Sequence, residues 1–193
     1  TREGERTLYN IVERKESGFN RKRKAARTEE TNCYTIDGTM EGVRKYTSQI
    51  INENEFDYYG YIRKGTMSNY DLALKTGGSY SSVLEDYAKN LVDVKVSEYK
   101  RDVYGNAKQE TNSFYLPNLG EDGVDGGGAL NFTELFVGSG EEISRQSFDI
   151  EGRAKVEVKT QWLRQKNQTT GEYEKLYKQA DVTYYEGTVN GAG

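Results

Sequence analysis

The sequence predicts a mainly β fold, an antiparallel β-sandwich or barrel with one short flanking α-helix at about 82–90. Three observations carry this. Apolar and polar residues alternate with period two, most strongly where Ala154, Val156, Val158, Thr160 and Trp162 oppose Lys155, Glu157, Lys159 and Gln161. Turn-forming pairs such as Asp37-Gly38 and Gly105-Asn106 separate the alternating segments. Helical spacing with a capping signature occurs once, at Ser82-Val83-Leu84-Glu85, followed by Tyr87, Ala88 and Leu91.

Along the chain, residues 5–13 read as a strand, and 1–30 as a whole form a charged N-terminal strand and arm. Nine Lys and Arg stand there against six Glu. Residues 31–193 read as one β domain. Cys33 to Ile36 and Met40 to Ile51 are strands on either side of Asp37-Gly38. The polar run Asn52 to Glu55 reads as a tip, and Phe56 to Ile62 as a strand with aromatic side chains on both faces. Together 46–64 suggest a protruding hairpin. Tyr70, Leu72 and Leu74 alternate with Asp71, Ala73 and Lys75 in a half-buried strand that Gly77-Gly78 ends. The helix follows, then a strand on Val92, Val94 and Val96. Gly105-Asn106 turns the chain into 107–116, which Pro117 stops. Residues 118–128 are a Gly-rich acidic loop. A strand from Phe132 to Val137 is broken by Gly138-Ser139-Gly140, and 141–152 are extended. The alternating strand from Ala154 and its return from Tyr173 to Tyr185, joined at Asn167 to Gly171, form a long C-terminal hairpin, and Gly191 to Gly193 a frayed tail. No internal repeat at a fixed period is apparent.

Composition narrows the chemistry. The 193 residues include no His and a single Cys, Cys33. Catalysis by Ser-His-Asp or Cys-His, metal binding through His, and an intrachain disulfide are therefore excluded. A net charge of −4 disfavours a dedicated nucleic-acid coat or an anionic-membrane binder. No apolar stretch is long enough to form a helical membrane span. The mean hydropathy of −0.91 suits polar faces on both sides of the strands and wet subunit interfaces.

Each candidate site has a bland reading that outweighs the functional one. The basic run Arg21, Lys22, Arg23, Lys24 reads as a solvated or subunit-contacting loop, because only Phe19 accompanies it as a stacking partner. Glu53, Glu55 and Asp57 fall on one face of one strand, whereas catalytic carboxylates face each other across a cleft. Asp122 and Asp125 lack the ladder of oxygen ligands that calcium needs. The Tyr set, with Tyr58, Tyr59 and Tyr61 foremost, reads as sheet packing and subunit interface rather than a sugar platform. No catalytic, cofactor or metal residue is assigned, and the expectation is that the chain is not an enzyme.

The order of elements from Ser68 to Leu163 (SNYDLALK, SSVLEDYAKN, LVDVKVSEYKR, ALNFTELFV, EGRAKVEVKTQWL) resembles the core of phage tail tube proteins of the siphophage type. The resemblance covers about half the chain and carries no diagnostic motif. It implies a virion structural protein assembled in the host cytoplasm. Its copies would form homo-hexameric rings, stacked into a tube through which DNA passes without sequence-specific binding, with other tail proteins as partners. Arg21 to Lys24 and Tyr58, Tyr59 and Tyr61 become the subunit-contact candidates. The alternatives are a secreted or surface β-sandwich that binds carbohydrate through its Tyr side chains, and a pilin-like fibre subunit.

Overall fold

The computed structural model describes residues 8–20, 22, 25–37, 44–75, 81–117 and 135–185. Nine strands form one open antiparallel sheet in chain order: β1 (Leu8–Ser17), β2 (Thr28–Asp37), β3 (Arg44–Phe56), β4 (Ile62–Leu74), β5 (Tyr87–Arg101), β6 (Ala107–Pro117), β7 (Leu135–Phe148), β8 (Ala154–Lys166) and β9 (Tyr173–Tyr184). Each strand pairs with its neighbour in sequence, so every connection is a return to the adjacent position. Among the described residues the expected sandwich or barrel is not found: their sheet is single and does not close on itself.

The chain divides into two structural units, one within 1–55 and 66–94, the other within 56–65 and 95–193. In the first unit, the core is aromatic. Tyr34, Tyr46, Leu72 and Tyr87 are buried together, with Ile11, Ile36, Leu74 and Leu84 against them. The Tyr46 ring lies 5.3 Å from that of Tyr34 and 5.4 Å from that of Tyr87, the latter edge-on, as the ring quadrupoles prefer. Beside the rings sits a fully buried amide pair, Gln49 Nε2 donating to Asn32 Oδ1 at 2.7 Å. The two residues face each other across β2 and β3, with a register shift between them and the tyrosines that keeps Tyr34 opposite Tyr46.

The second unit has a different interior. Trp162 of β8 is buried, and its register partner is Gly140 of β7. A Cβ on Gly140 would collide with the indole and with the Asn112 carbonyl, so the glycine is what lets the ring lie flat on the sheet. Lys175 of β9 roofs the indole at 4.6 Å from its centroid and is itself held by Glu142 at 2.6 Å. Elsewhere in the unit Arg145 bridges two carboxylates, Glu110 at 3.0 Å and Glu157 at 2.7 Å, and Lys159 pairs with Glu141 at 2.6 Å.

Three expectations are corrected. The α-helix at 82–90 is absent: a 3-10 turn, Leu84–Asp86, leads straight into β5 at Tyr87. Ser82 does not cap it. Instead, Ser81 Oγ accepts the Val83 N–H and donates to the Asp86 carboxylate, and the Tyr87 hydroxyl donates to the Ser81 carbonyl. An isolated two-turn helix is marginal, and burial of Tyr87 against Tyr46 in an extended ladder prevails. Asn52 to Glu55 lie inside β3, not at a tip, and residues after Phe56 form a turn rather than a strand. Gly138-Ser139-Gly140 does not break β7, which runs through it because Trp162 fills the space a side chain would take.

The C-terminal hairpin, the strand on Val92 to Val96 and the end of β6 at Pro117 are found where the sequence puts them. Gly38, Gly77-Gly78, the loop 118–128 with Asp122 and Asp125, and the tail 191–193 lie outside the described residues.

Candidate interaction surfaces

Three hairpin turns of the second unit are built on one local sequence, Asp-x-x-Gly: Asp57-Tyr58-Tyr59-Gly60, Asp102-Val103-Tyr104-Gly105 and Asp149-Ile150-Glu151-Gly152. The chemistry is the same each time. Asp Oδ1 accepts the N–H groups two and four residues on: Tyr59 and Tyr61 at 2.9 Å each, Tyr104 and Asn106 at 2.9 Å each, Glu151 at 2.9 Å and Arg153 at 2.8 Å. The glycine N–H returns to the Asp carbonyl at 3.0 Å in all three. Glycine is required because φ there is 85°, 91° and 79°.

Consecutive turns also touch. The ring and hydroxyl of Tyr61 occupy the space over Gly105, and Asn106 Oδ1 lies 2.6 Å from where a Gly152 Cβ would stand. The residue after each glycine thus reaches over the glycine of the next turn. The same turn thus recurs once for every two strands, although not at a fixed sequence period.

In two of the turns these contacts hold the carboxyl below its usual range. For Asp102, partial desolvation alone would raise the pKa, but the N–H and side-chain amide of Asn106 and the N–H of Tyr104 outweigh it and keep it below the usual range. For Asp149, the N–H and guanidinium of Arg153 depress it.

The two middle residues of each turn point outward. Tyr58, Val103 and Tyr104 are 83%, 87% and 82% exposed, Ile150 is fully exposed, and Tyr59 packs edge-on against Tyr58. Of the sequence candidates, Tyr58 and Tyr59 therefore sit at a turn tip. Tyr61 does not: it is half-buried over Gly105 and under the Arg101 guanidinium, 5.0 Å from its ring centroid. Lys22 is exposed, its N–H on Asn20 Oδ1. Arg21, Arg23 and Lys24 lie outside the described residues.

A second surface is β9. Its outer edge has no strand partner among the described residues, and all twelve of its residues are exposed. Register with β8 places Tyr177 opposite Trp162, Val182 opposite Val158 and Tyr184 opposite Val156. This face of the edge strand thus carries Tyr173, Tyr177, Ala180, Val182 and Tyr184, with Lys175 between the first two, and all are exposed. Alternation along 173–185 does not reveal this, because it does not tell which strand is last.

Two clefts flank the third turn. One, about 550 Å³, is lined by Arg145, Phe148, Arg153, Lys155 and Tyr185 among others. The other, about 720 Å³, is lined by Tyr104, Lys108, Gln146 and Ser147 among others, Ser147 having φ of 55°. Arg145 and Arg153 are already engaged by carboxylates. Among the described residues, no group of three or more Cys, Asp or Glu converges to hold a metal, and of the three carboxylates expected on one strand face, Glu53 and Glu55 lie in β3 while Asp57 lies in the turn after it. No helix of the described residues is long and apolar enough to cross a membrane. No family model matches the chain, and no curated protein is similar to it.

Proposed function

We propose that the chain is a structural subunit whose sheet is continued by further copies of itself. The observation that carries this is β9: a long edge strand, exposed throughout, with Tyr173, Tyr177, Val182 and Tyr184 on one face and a row of backbone donors and acceptors along its margin. Such an edge is a template for strand addition, and closure by another strand is the direct way to satisfy it.

In this reading, the sandwich or barrel is completed between chains. Rings stacked into a virion tail tube, with DNA passing through the lumen and other tail proteins at its ends, are the specific form proposed. That form rests on the strands alone, since the helix that helps carry the resemblance is a 3-10 turn.

Sedimentation velocity with negative-stain microscopy tests it. The wild type should form rings or tubes, and the edge variant Tyr177→Lys with Val182→Lys should sediment as folded, smaller species. A wild type that stays a monomer at every concentration would sink the proposal.

A further inference from the structure

Given the strand addition proposed above, on which this rests, we infer that the added strand is β9 of a second copy, antiparallel to the first and related to it by a two-fold axis.

The register shift in the middle of β9 carries this. Up to the shift, Tyr173, Lys175 and Tyr177 stand opposite Lys166, Arg164 and Trp162. Lys178 is then one extra residue, since the next to have a partner is Gln179, opposite Gln161. Beyond it, Ala180, Val182 and Tyr184 stand opposite Thr160, Val158 and Val156. One face of β9 therefore carries 173, 175, 177, 180, 182 and 184, and the other carries the remaining six. That pattern reads the same from either end of the strand.

The backbone repeats the pattern. The Tyr185 N–H donates to the Lys155 carbonyl at 2.8 Å, and the Asn167 N–H to the Glu172 carbonyl at 2.7 Å. Bonded and non-bonded positions alternate along an antiparallel ladder. Counted from both ends, the backbone of 174, 176, 179, 181 and 183 turns toward β8. That of 173, 175, 177, 180, 182 and 184 turns outward, unpaired.

Laid antiparallel on a copy of itself with Tyr173 opposite Tyr184, β9 overlaps over all twelve residues. Every outward residue then meets an outward residue, and each such pair exchanges both hydrogen bonds. Every side chain also shares a face with the one opposite. Tyr177 meets Ala180 and Lys175 meets Val182; on the other face Glu174 meets Thr183, Leu176 meets Asp181 and Lys178 meets Gln179.

Charge permits the pairing. Glu174 and Asp181 balance Lys175 and Lys178 within the strand, and no two charges stand directly opposite. Asp181 of the second copy lies diagonally between Lys178 and Glu174, so attraction and repulsion there offset each other. The two Lys178 side chains flank the axis, where their long stems let the ammonium groups part.

β1 fits this edge less well. Its ladder with β2 runs from Leu8 to Ser17 without a shift. A regular strand set on β9 must leave the extra residue unpaired, as β8 does, and the ladder breaks in its middle. β1 also carries the charged run Glu13 to Glu16, in which Arg44 holds Glu13 and Glu29 holds Arg14. Charges on an edge guard it against addition. A two-fold contact joins copies in pairs, so any ring built on it holds an even number of them.

Cysteine cross-linking in a Cys33→Ser background tests the pairing, with circular dichroism to show that each variant is folded. Gln179 lies beside the axis, so Gln179→Cys should form a disulfide dimer with itself, its two Cα atoms falling within the ~4.4–6.8 Å that a disulfide spans. Glu174→Cys and Thr183→Cys should each fail to link to themselves, because like positions lie roughly 30 Å apart along the paired strands. Mixed, those two should cross-link.

If the wild type assembles but Gln179→Cys does not link to itself, the two-fold pairing is overturned while strand addition stands. Cross-linking of Thr183→Cys to Arg14→Cys would overturn it too, and would name β1 as the added strand. A wild type that is monomeric at every concentration in sedimentation velocity removes both readings.

Discussion

The two units hold a single sheet together by different means. In the first, side chains converge: Tyr46 touches the rings of both Tyr34 and Tyr87, and Leu72 completes the cluster. In the second, side chains lie flat or pair off. Trp162 covers a glycine, Lys175 covers Trp162, and Arg145 joins Glu110 to Glu157. The first unit depends on shared apolar volume. The second depends on one close approach and on cross-strand charge, which leaves its last strand without a core to cover it. In the second unit, exposed apolar and aromatic side chains include those of the turn tips and of β9.

The largest effects should come from the close approach. Trp162→Ala should cost about 3–5 kcal/mol, the usual loss for a buried large aromatic, read as a fall in the denaturant midpoint. Gly140→Ala should also destabilise, and the double variant should cost less than the sum of the two, because removing the indole removes most of the clash. Additive costs would show that the ring and the glycine do not meet. In the first unit, Tyr46→Ala should cost about 3 kcal/mol with no such coupling to Gly140.

Next comes the turn repeat. Gly105→Ala should cost about 1–3 kcal/mol, from the positive φ together with the collision with Tyr61. Tyr61→Ser should relieve the collision but not the backbone strain, so thermal melts should recover only in part. Full recovery would mean the strain at φ 91° is unimportant.

Charge pairs should separate the units further. Arg145→Met leaves two half-buried carboxylates side by side and should cost about 1–3 kcal/mol. Arg14→Met in the first unit breaks the exposed pair with Glu29 and should cost at most about 1 kcal/mol, reduced by salt.

Acidification should loosen the turns. The carboxyls of Asp102 and Asp149 are depressed in the folded chain. Their contribution is therefore complete above the unfolded value of about 3.9 and is lost as pH falls through the folded values. Amide exchange at Tyr104 and Glu151 should accelerate below that pH in the wild type. In Asp102→Ala with Asp149→Ala, which removes the acceptor, it should be fast already at neutral pH.

Much of the fold is legible in the residues themselves. Alternation at Ala154 to Trp162 yields β8 and its buried face, and Gly105-Asn106 yields the turn into β6. The departures share a cause: a local signal is overruled by a partner distant in sequence. The helical spacing at 82–91 gives way to Tyr46, and the glycines of 138–140 read as a break because their partner, Trp162, lies on the next strand. The aromatic run at 56–62 hides a turn because its tyrosines outweigh Asp57. The same Asp-x-x-Gly pattern at 102 and 149 is the available signal, visible once the three segments are set side by side. The outward edge of β9 is not legible, since alternation reports faces and not which strand is last.

Self-assembly as proposed requires that β9 be continued by another strand. Amide hydrogen exchange along Tyr173 to Tyr184, compared between concentrated and dilute protein, tests it most directly. In concentrated protein every amide of β9 should be protected, and on dilution alternate amides, those facing away from β8, should become fast. Alternate amides that exchange rapidly at every concentration, even while particles form, would contradict it.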